Sequence, residues 1–146
     1  MRLLLDTCVL SELRRPQRDP GVVAAIAAQT DEDLFLSVLT VGEVSKGIGL
    51  LADGPKRRGL ESWLADLRRQ FSDRLLGVNA ETAEIWGLAW ARASKRGVVV
   101  PAIDGLLAAQ ALQHGLAVAT RNEDHFRETG ALVFNPWSGV GYNQWP

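Results

Sequence analysis

The sequence predicts a single α/β domain with three layers, in which helices cover both faces of a short-stranded parallel sheet. Short apolar segments alternate with helical segments along the chain, as in folds built from strand–helix–strand units. The apolar segments show no polar alternation, which is typical of strands that are buried on both faces. The chain of 146 residues has no repeat or long linker, so we expect one domain over residues 1–146, with a tail over about residues 138–146.

Five apolar stretches are predicted to form the sheet. They cover residues 3–5, 34–38, 75–78, 116–120 and 132–134. Right-handed crossovers bring the carboxyl ends of parallel strands to one edge of a sheet. Residues that follow different strands directly are therefore expected to meet at that edge, where ligands bind in open α/β sheets.

Helices are predicted from their caps and from apolar residues spaced three and four apart. They cover about residues 20–29, 40–54, 60–71, 80–97 and 104–114. Asp19 before Pro20 is typical of an N-cap followed by proline in the first turn. Asn79 is expected to cap the fourth helix, and Gly115 to end the fifth. The fifth is almost wholly apolar, so we expect it to be buried.

The tryptophans divide into two groups. The core is expected to include Trp63, Trp86 and Trp90. The tail and the segment before it contain Trp137, Tyr142 and Trp145, which are expected to anchor the tail either to the domain or to a partner. Aromatic rings provide large apolar contact areas in both situations.

Composition limits the possible classes of function. No segment has the roughly 20 apolar residues that a membrane span needs. Cys8 is the only cysteine, which excludes an internal disulfide and a cysteine-rich zinc site and favours a reducing cytoplasm. The chain has two histidines, so any metal is expected to be bound mainly by oxygen. We expect a cytoplasmic protein that does not contact a membrane.

The basic residues are grouped although the net charge is −1. Four runs begin at Arg14, Lys56, Arg68 and Arg92. Such runs are usually solvated helix faces. Around an acidic centre they would instead form a rim that suits a nucleic-acid backbone.

Acidic residues lie where predicted strands end or predicted helices begin. These positions are Asp6, Glu43, Asp104 and Asp124, the last beside Asn122. Each has a structural alternative: Asp6 would cap a following turn, Glu43 would complete a capping box with Thr40, and Asp104 would be an N-cap or first-turn charge. Asn122 or Asp124 would form an Asx-turn. However, a charged side chain at the end of a buried strand costs several kcal/mol unless it is paired or bound to a metal.

Together these acids predict a cation site. Carboxylates brought close together cannot all stay ionised without a counter-charge. Mg²⁺ and Mn²⁺ bind oxygen ligands and retain waters for substrate phosphates. Such a cation lowers the pKa of a bound water and orients it in line with a phosphodiester, in either a one-metal or a two-metal arrangement.

The acid-bearing segments resemble a known family. The motifs are LLDT and VLSE (residues 4–7 and 9–12), SVLTVGE (37–43), DGLLAAQA (104–111) and ATRN (119–122). In this order and spacing they resemble the PIN-domain ribonucleases, and within these the VapC toxins of type II toxin–antitoxin pairs. The closing FNPW motif (134–137) is similar to the FitB-like branch.

The resemblance implies a Rossmann-like sheet and an endoribonuclease that depends on Mg²⁺ or Mn²⁺. Carried over by position, Asp6 and Asp104 would be the most direct metal ligands. Glu43 would be a third ligand or a base that positions water. Thr7 and Thr120 would form hydrogen bonds within the site.

The fourth acidic position departs from the family pattern. This chain has Asn122 where the family usually has its fourth acid, so the position would be filled by the Asn122 oxygen or by Asp124. Both remain possible from the sequence. The substitution also makes the cluster less negative.

The resemblance also implies partners. These are a small VapB- or FitA-like antitoxin that occludes the active site, an RNA substrate, and a second copy of the chain in a homodimer, with a heterotetramer or larger assembly when the antitoxin binds. DNA would be contacted only through the antitoxin. The alternative function is a PIN-fold subunit with weak or no catalysis that acts mainly within a DNA-binding antitoxin–toxin complex.

Overall fold

Five parallel strands form one sheet in the computed structural model, which describes residues 1–138. The strands are β1 (Leu3–Leu5), β2 (Leu34–Ser37), β3 (Leu75–Leu76), β4 (Ala117–Ala119) and β5 (Leu132–Phe134), in the order β3-β2-β1-β4-β5. The parallel short-stranded sheet is therefore confirmed. Tyr142 and Trp145 lie outside the described residues.

The central strand β1 positions the site. Leu3 lies opposite Leu34 of β2 and Ala117 of β4, and Leu5 lies opposite Ala119. The Asp6 N–H then donates to the Ala119 carbonyl at 3.0 Å, which continues the pairing by one residue. Asp6 and Thr120, the residues after β1 and β4, are consequently neighbours at the carboxyl edge of the sheet.

Seven α-helices connect and cover the strands within residues 1–138. They are α1 (Thr7–Arg14), α2 (Pro20–Ala27), α3 (Val38–Gly49), α4 (Pro55–Gln70), α5 (Ala80–Lys95), α6 (Ala102–His114) and α7 (Glu123–Arg127), with a single 3₁₀ turn at Asp31–Asp33. Five of the helices correspond to the predicted ones. The sequence pattern did not predict α1 and α7. Helix α1 begins after the single residue that follows β1, and α7 begins after the three-residue loop that follows β4.

The predicted caps at three helix ends are confirmed. Asp19 accepts hydrogen bonds from the N–H groups of Gly21 and Val22 at 2.8 and 3.3 Å. Asn79 forms a reciprocal capping box with Thr82 at the start of α5. Gly115 ends α6 in the left-handed region at φ +66°, where a side chain would cost energy.

Alternation along the strands produces two apolar layers. Leu3, Leu5 and Leu36 pack on one face with Leu10 of α1, Val22 of α2 and Leu67 of α4. Leu4, Val118 and Val133 pack on the other face with Leu107 of α6 and Phe126 of α7. Successive strand residues point to opposite faces, so the wholly apolar strands have helices on both sides. The three-layer prediction is therefore confirmed.

Two expectations about apolar residues need correction. Trp90 is 46 % exposed on α5, so its predicted core position is wrong, whereas Trp63 is partly buried against the first layer. Helix α6 is buried along one side through Leu107 and Ala111 but exposes Leu112, because α5 and the sheet cover only part of its circumference. No helix in residues 1–138 is long and apolar enough to span a bilayer.

Candidate active site

Asp6 is buried at the carboxyl end of β1, with 5 % of its surface exposed. Its Oδ1 accepts from the Thr7 N–H at 2.8 Å, so Asp6 is the N-cap of α1. Its Oδ2 accepts from the Thr120 hydroxyl at 2.7 Å. The structural alternative for Asp6 is thus realised, but capping uses only one of its two oxygens, and the other faces the loop after β4.

Glu43 lies in the second turn of α3 and does not cap it. Helix α3 begins at Val38 with Ser37 as its N-cap, whose hydroxyl accepts from the Leu39 N–H at 3.0 Å. The predicted capping box between Thr40 and Glu43 is therefore wrong, because the N-cap is Ser37, three residues before Thr40. Glu43 Oε1 instead accepts a hydrogen bond from the Thr7 hydroxyl at 3.0 Å.

Asp104 lies in the first turn of α6, where Pro101 occupies the N-cap position. Its Oδ2 is 2.6 Å from Nδ1 of His125 in α7. This contact links the helix before β4 to the helix after it. Sequence reasoning did not assign a role to His125, since nothing in the spacing from residue 104 to residue 125 indicates the contact.

The three carboxylates lie within one electrostatic field. Burial raises the pKa of Glu43, and the negative charges of Asp6 and Asp104 raise it further, against the Thr7 hydrogen bond and Lys46. Burial likewise raises the pKa of Asp104, and the charge of Asp6 adds to this, whereas His125 acts in the opposite direction. Like charges that are partly removed from water disfavour each other's ionised form. A counter-charge at this edge would relieve that repulsion.

The donor chemistry suits a hard cation. All three acidic side chains offer oxygen, which Mg²⁺ and Mn²⁺ prefer. As the side chains stand, no group of three or more His, Cys, Asp and Glu in residues 1–138 is close enough to hold a metal ion. Asp104 is hydrogen-bonded to His125 instead. A cation shared by the acids would therefore require their side chains to move closer together.

The loop after β4 contributes the Thr120 hydroxyl to the site rather than a fourth acidic side chain. Thr120 is fully buried and its Oγ1 also accepts from the Asn122 N–H at 3.0 Å. The Asn122 side chain is exposed at the N-cap position of α7. The Asp124 side chain is 92 % exposed and pairs with Arg127 at 3.4 Å. Thus the structure does not bring Asp124 to the three other acids.

Cys8 is a neighbour of the site to which the sequence analysis assigned no role there. Its Sγ lies 3.6 Å from Asp6 Oδ2 and 3.6 Å from Thr120 Oγ1. Burial and the charge of Asp6 raise the pKa of the Cys8 thiol. A thiol that keeps its proton is a poor nucleophile, so Cys8 acts here as a weak donor toward Asp6. The feature of the sequence that could have indicated this contact is the position of Cys8 two residues after Asp6.

Glu12 joins the end of the described chain to α1. Its side chain is buried, and Oε1 accepts from Nε1 of Trp137 at 3.2 Å. The expectation that Trp137 anchors its segment to the domain is therefore confirmed. Two guanidinium groups also pair with Glu12, those of Arg15 at 3.3 Å and Arg121 at 3.8 Å.

Several residues of the basic runs pair with acids on helix surfaces. Arg57 pairs with Asp53 and Glu61 in and before α4, and Arg96 pairs with Glu128 at 2.9 Å. This favours the solvated-face interpretation for those two runs. In the first run Arg14 instead lies over the ring of Trp63, with 5.4 Å between Cζ and the ring centroid.

A parallel α/β sheet whose carboxyl edge carries three coupled carboxylates defines the class of the domain. The PIN domain family model matches residues 3–132. Toxin FitB from Neisseria gonorrhoeae is 39 % identical over 136 residues, which cover 92 % of this chain and 98 % of FitB. VapC ribonuclease Y4jK from Sinorhizobium fredii is 34 % identical over 136 residues, which cover 92 % and 97 % of the two chains.

A solved structure also resembles this fold, and its sequence identity to this chain is close to that of FitB. The structure of FitAB bound to the IR36 DNA fragment contains a chain that is 38 % identical, with a TM-score of 0.88 over 92 % of this chain and 95 % of that one. The chain belongs to the PIN-domain family, in the group that contains the FitB and VapC toxins. The resemblance in the sequence motifs is thereby confirmed.

Proposed function

We propose that this protein is an endoribonuclease dependent on Mg²⁺ or Mn²⁺ and the toxin of a toxin–antitoxin pair. The observation that carries the proposal is the placement of Asp6, Glu43 and Asp104 around the carboxyl edge of the sheet, where hydroxyls of Thr120 and Thr7 hold Asp6 and Glu43. The negative charge of Asp6 raises the pKa of both other acids, which agrees with this placement. Similarity to a VapC ribonuclease over 92 % of the chain supports ribonuclease activity. The oxygen donors support the choice of metal.

Asp6 and Asp104 would hold the metal most directly, and Glu43 would be a third ligand or would orient the attacking water. When bound, the metal supplies an activated water and stabilises the charge on the leaving oxygen. Thr120 keeps Asp6 Oδ2 in place, and Thr7 holds Glu43 Oε1. Because Oε1 of Glu43 accepts from Thr7, the second oxygen, Oε2, is the one that would bind the metal or orient the water.

The fourth position is assigned to Asn122 in this proposal. Asp124 is almost wholly exposed and paired with Arg127, whereas the Asn122 backbone is tied to Thr120 beside Asp6. A neutral amide oxygen at this position leaves the cluster one negative charge short of the usual family pattern. The metal would be held by fewer charged ligands.

The partners follow from membership of the FitB group. We expect a FitA-like antitoxin that covers the acidic site, and a homodimer of this chain that forms a larger assembly with the antitoxin. The substrate is expected to be single-stranded or loop RNA, whose unstacked backbone reaches a shallow site. Activity in the cytoplasm is expected from this class of substrate.

Cleavage of a labelled RNA by the purified protein tests the proposal. Wild-type protein should cleave with Mg²⁺ or Mn²⁺ and lose activity in EDTA, and Asp6→Asn should lower the rate at least about a hundredfold, since it removes a direct ligand charge. Calorimetry with Mn²⁺ should show weaker binding to Asp6→Asn, which is a readout independent of activity. Equal cleavage by the variant and the wild type would contradict the metal mechanism.

A second candidate function is a weakly catalytic or inactive subunit of a DNA-binding complex. It is favoured by Asn122 at the usual acidic position and by similarity to a chain of the DNA-bound FitAB structure. The same assay separates the two functions. Absence of metal-dependent cleavage, together with antitoxin-dependent binding of promoter DNA, would support the second.

A further inference from the structure

Glu12 is a buried carboxylate that holds two arginines from different parts of the chain. It lies in α1 and is 5 % exposed. Arg15, just after α1, donates from Nη1 to its Oε2 at 3.3 Å, and Nη2 of Arg121 lies 3.8 Å from its Oε1. Both guanidinium groups remain mostly exposed. The carboxylate thus fixes the inner side of each guanidinium and leaves the outer side to solvent.

Trp137 restricts Arg121 further. The Arg121 Cζ lies 4.2 Å from the centroid of the Trp137 ring, and the same indole donates to Glu12 at 3.2 Å. A cation over an indole face is attracted to the ring quadrupole. Arg121 is therefore held between a buried anion and an aromatic face, so little side-chain entropy would be lost when it binds an external anion.

The cluster carries an uncompensated positive charge. Two guanidinium groups and one carboxylate leave a net charge of +1. Glu12 satisfies only part of the five N–H donors that each guanidinium has. The remaining donors are planar and paired, a geometry that suits the oxygens of a phosphate.

Both arginines lie next to the acidic site. Arg121 directly follows Thr120, whose hydroxyl is bonded to Asp6. Arg15 lines a cleft of about 420 Å³ that is also lined by Thr7 and Glu43. A strand that passes the three carboxylates would therefore carry its neighbouring phosphates toward the two guanidinium groups.

We propose that Arg15 and Arg121, oriented by Glu12, form a subsite for a backbone phosphate of the RNA strand adjacent to the cleaved bond. This subsite rests on the proposed ribonuclease function and adds to it the group that binds the flanking strand. Charge complementarity between the net positive cluster and a phosphate selects this occupant. The cleft that joins Arg15 to Glu43, and the position of Arg121 directly after Thr120, place the subsite beside the reaction.

Binding of a short fluorescein-labelled single-stranded RNA, followed by anisotropy in EDTA, tests the subsite without cleavage. Arg15→Gln and Arg121→Gln should each weaken binding about tenfold. The slope of log K against log salt should fall in magnitude by about 0.7, the value for one phosphate on a single strand. In the double variant the slope should fall by the same amount of about 0.7 and not by twice that value, because both arginines bind the same phosphate. Arg121→Lys should keep the slope but bind more weakly, because lysine cannot bind in the bidentate manner.

Arg96→Gln is the matched control, because Arg96 is an exposed arginine that is also paired with a carboxylate, Glu128. It should leave RNA affinity within about twofold of the wild type. An equal loss in Arg96→Gln would show a general charge effect and overturn the subsite. Unchanged affinity and slope in both arginine variants would overturn it as well.

A polyglutamate peptide separates a protein partner from RNA. If the double variant lost affinity for the peptide but retained that for RNA, the cluster would bind an acidic protein segment and the proposal would be wrong. The anisotropy measurement stands apart from the cleavage assay on Asp6→Asn. An inactive protein that still showed the arginine-dependent slope would contradict the proposed function and leave the subsite supported.

Discussion

In the metal-free protein, the ionised Glu43 carboxylate lowers the free energy of unfolding, and substitution of Glu43 should remove this effect. Burial and two neighbouring carboxylates raise its pKa above the ordinary value of 4.5. A raised pKa in the folded state means that folding favours the protonated form, so this contribution to stability is complete below pH 4.5 and is lost as pH rises through the raised pKa. The contribution of Glu43 to the unfolding free energy of the metal-free protein should therefore decline as the pH rises above 4.5.

Glu43→Gln should flatten this part of the pH profile. The amide does not ionise, and its oxygen can still accept from Thr7 at the position of Oε1. We expect the Tm of the metal-free variant at pH 7 to exceed that of the wild type by about 2 °C. Thermal unfolding in EDTA from pH 4 to 7 measures it, with the exposed Glu84→Gln of α5 as control. A variant Tm below that of the wild type at pH 7 would contradict the raised pKa.

Asn122 and Asp124 can be separated by metal affinity. Because Asp124 is exposed and paired with Arg127, Asp124→Ala should change the Mn²⁺ dissociation constant less than about twofold. Asn122→Ala should weaken Mn²⁺ binding by about tenfold, since it removes the proposed fourth oxygen. Calorimetric titration of both variants decides between them. The reverse order of effects would move the fourth position to Asp124.

At the scale of elements, the ends of the helices explain why some of the site escaped prediction. Thr40 followed by Glu43 fits a capping box in sequence, but Ser37 caps α3 instead. The last residue of β2 thus serves also as the first cap of α3, and no loop marks the boundary. The same direct passage from strand to helix occurs at Asp6. The local pattern therefore predicted a capping role for Thr40 and Glu43 that Ser37 performs instead.

The capping box of α5 offers a test of how firmly a single helix end is held. Asn79 Oδ1 accepts from the Thr82 N–H at 3.0 Å and from Gln113 Nε2 of α6 at 3.1 Å. Asn79→Ala should lower the free energy of unfolding by about 1–2 kcal/mol, because it removes a cap and a link between two packed helices. Urea unfolding measures this change, with Glu84→Ala within α5 as control. Equal stability of the two variants would argue against the cap.

At the scale of the whole molecule, the features that could be predicted from the sequence are those that follow from apolar periodicity and from the order of strands and helices. Leu3, Leu4 and Leu5 are buried on both faces of the sheet, so their uniform apolarity indicated a covered parallel sheet. Contacts between distant side chains were not predictable in this way. His125 meets Asp104, and Trp137 meets Glu12 across 125 positions; each pairing depends on how α7 and the segment after β5 pack, which no local pattern encodes.

The charge distribution of the whole molecule predicts how cleavage depends on salt. The net charge of −1 provides no general attraction for RNA, and several basic residues, including Arg57 and Arg96, are paired with acids. Attraction must then come from local groups such as Arg15 and Arg121 beside the acidic site. For a long RNA, log(kcat/KM) should fall linearly with log salt, with a slope of about −0.7 for each phosphate contacted.

A dinucleotide substrate, which lacks the flanking phosphates, should show a much smaller slope in the same salt series. Both series need a fixed excess of Mg²⁺, so that competition for the metal site does not mimic the loss of phosphate contacts. Equal slopes for the long RNA and the dinucleotide would mean that the salt effect arises at the cleaved bond itself. In that case the positive groups around the acids would contribute no binding of the flanking strand.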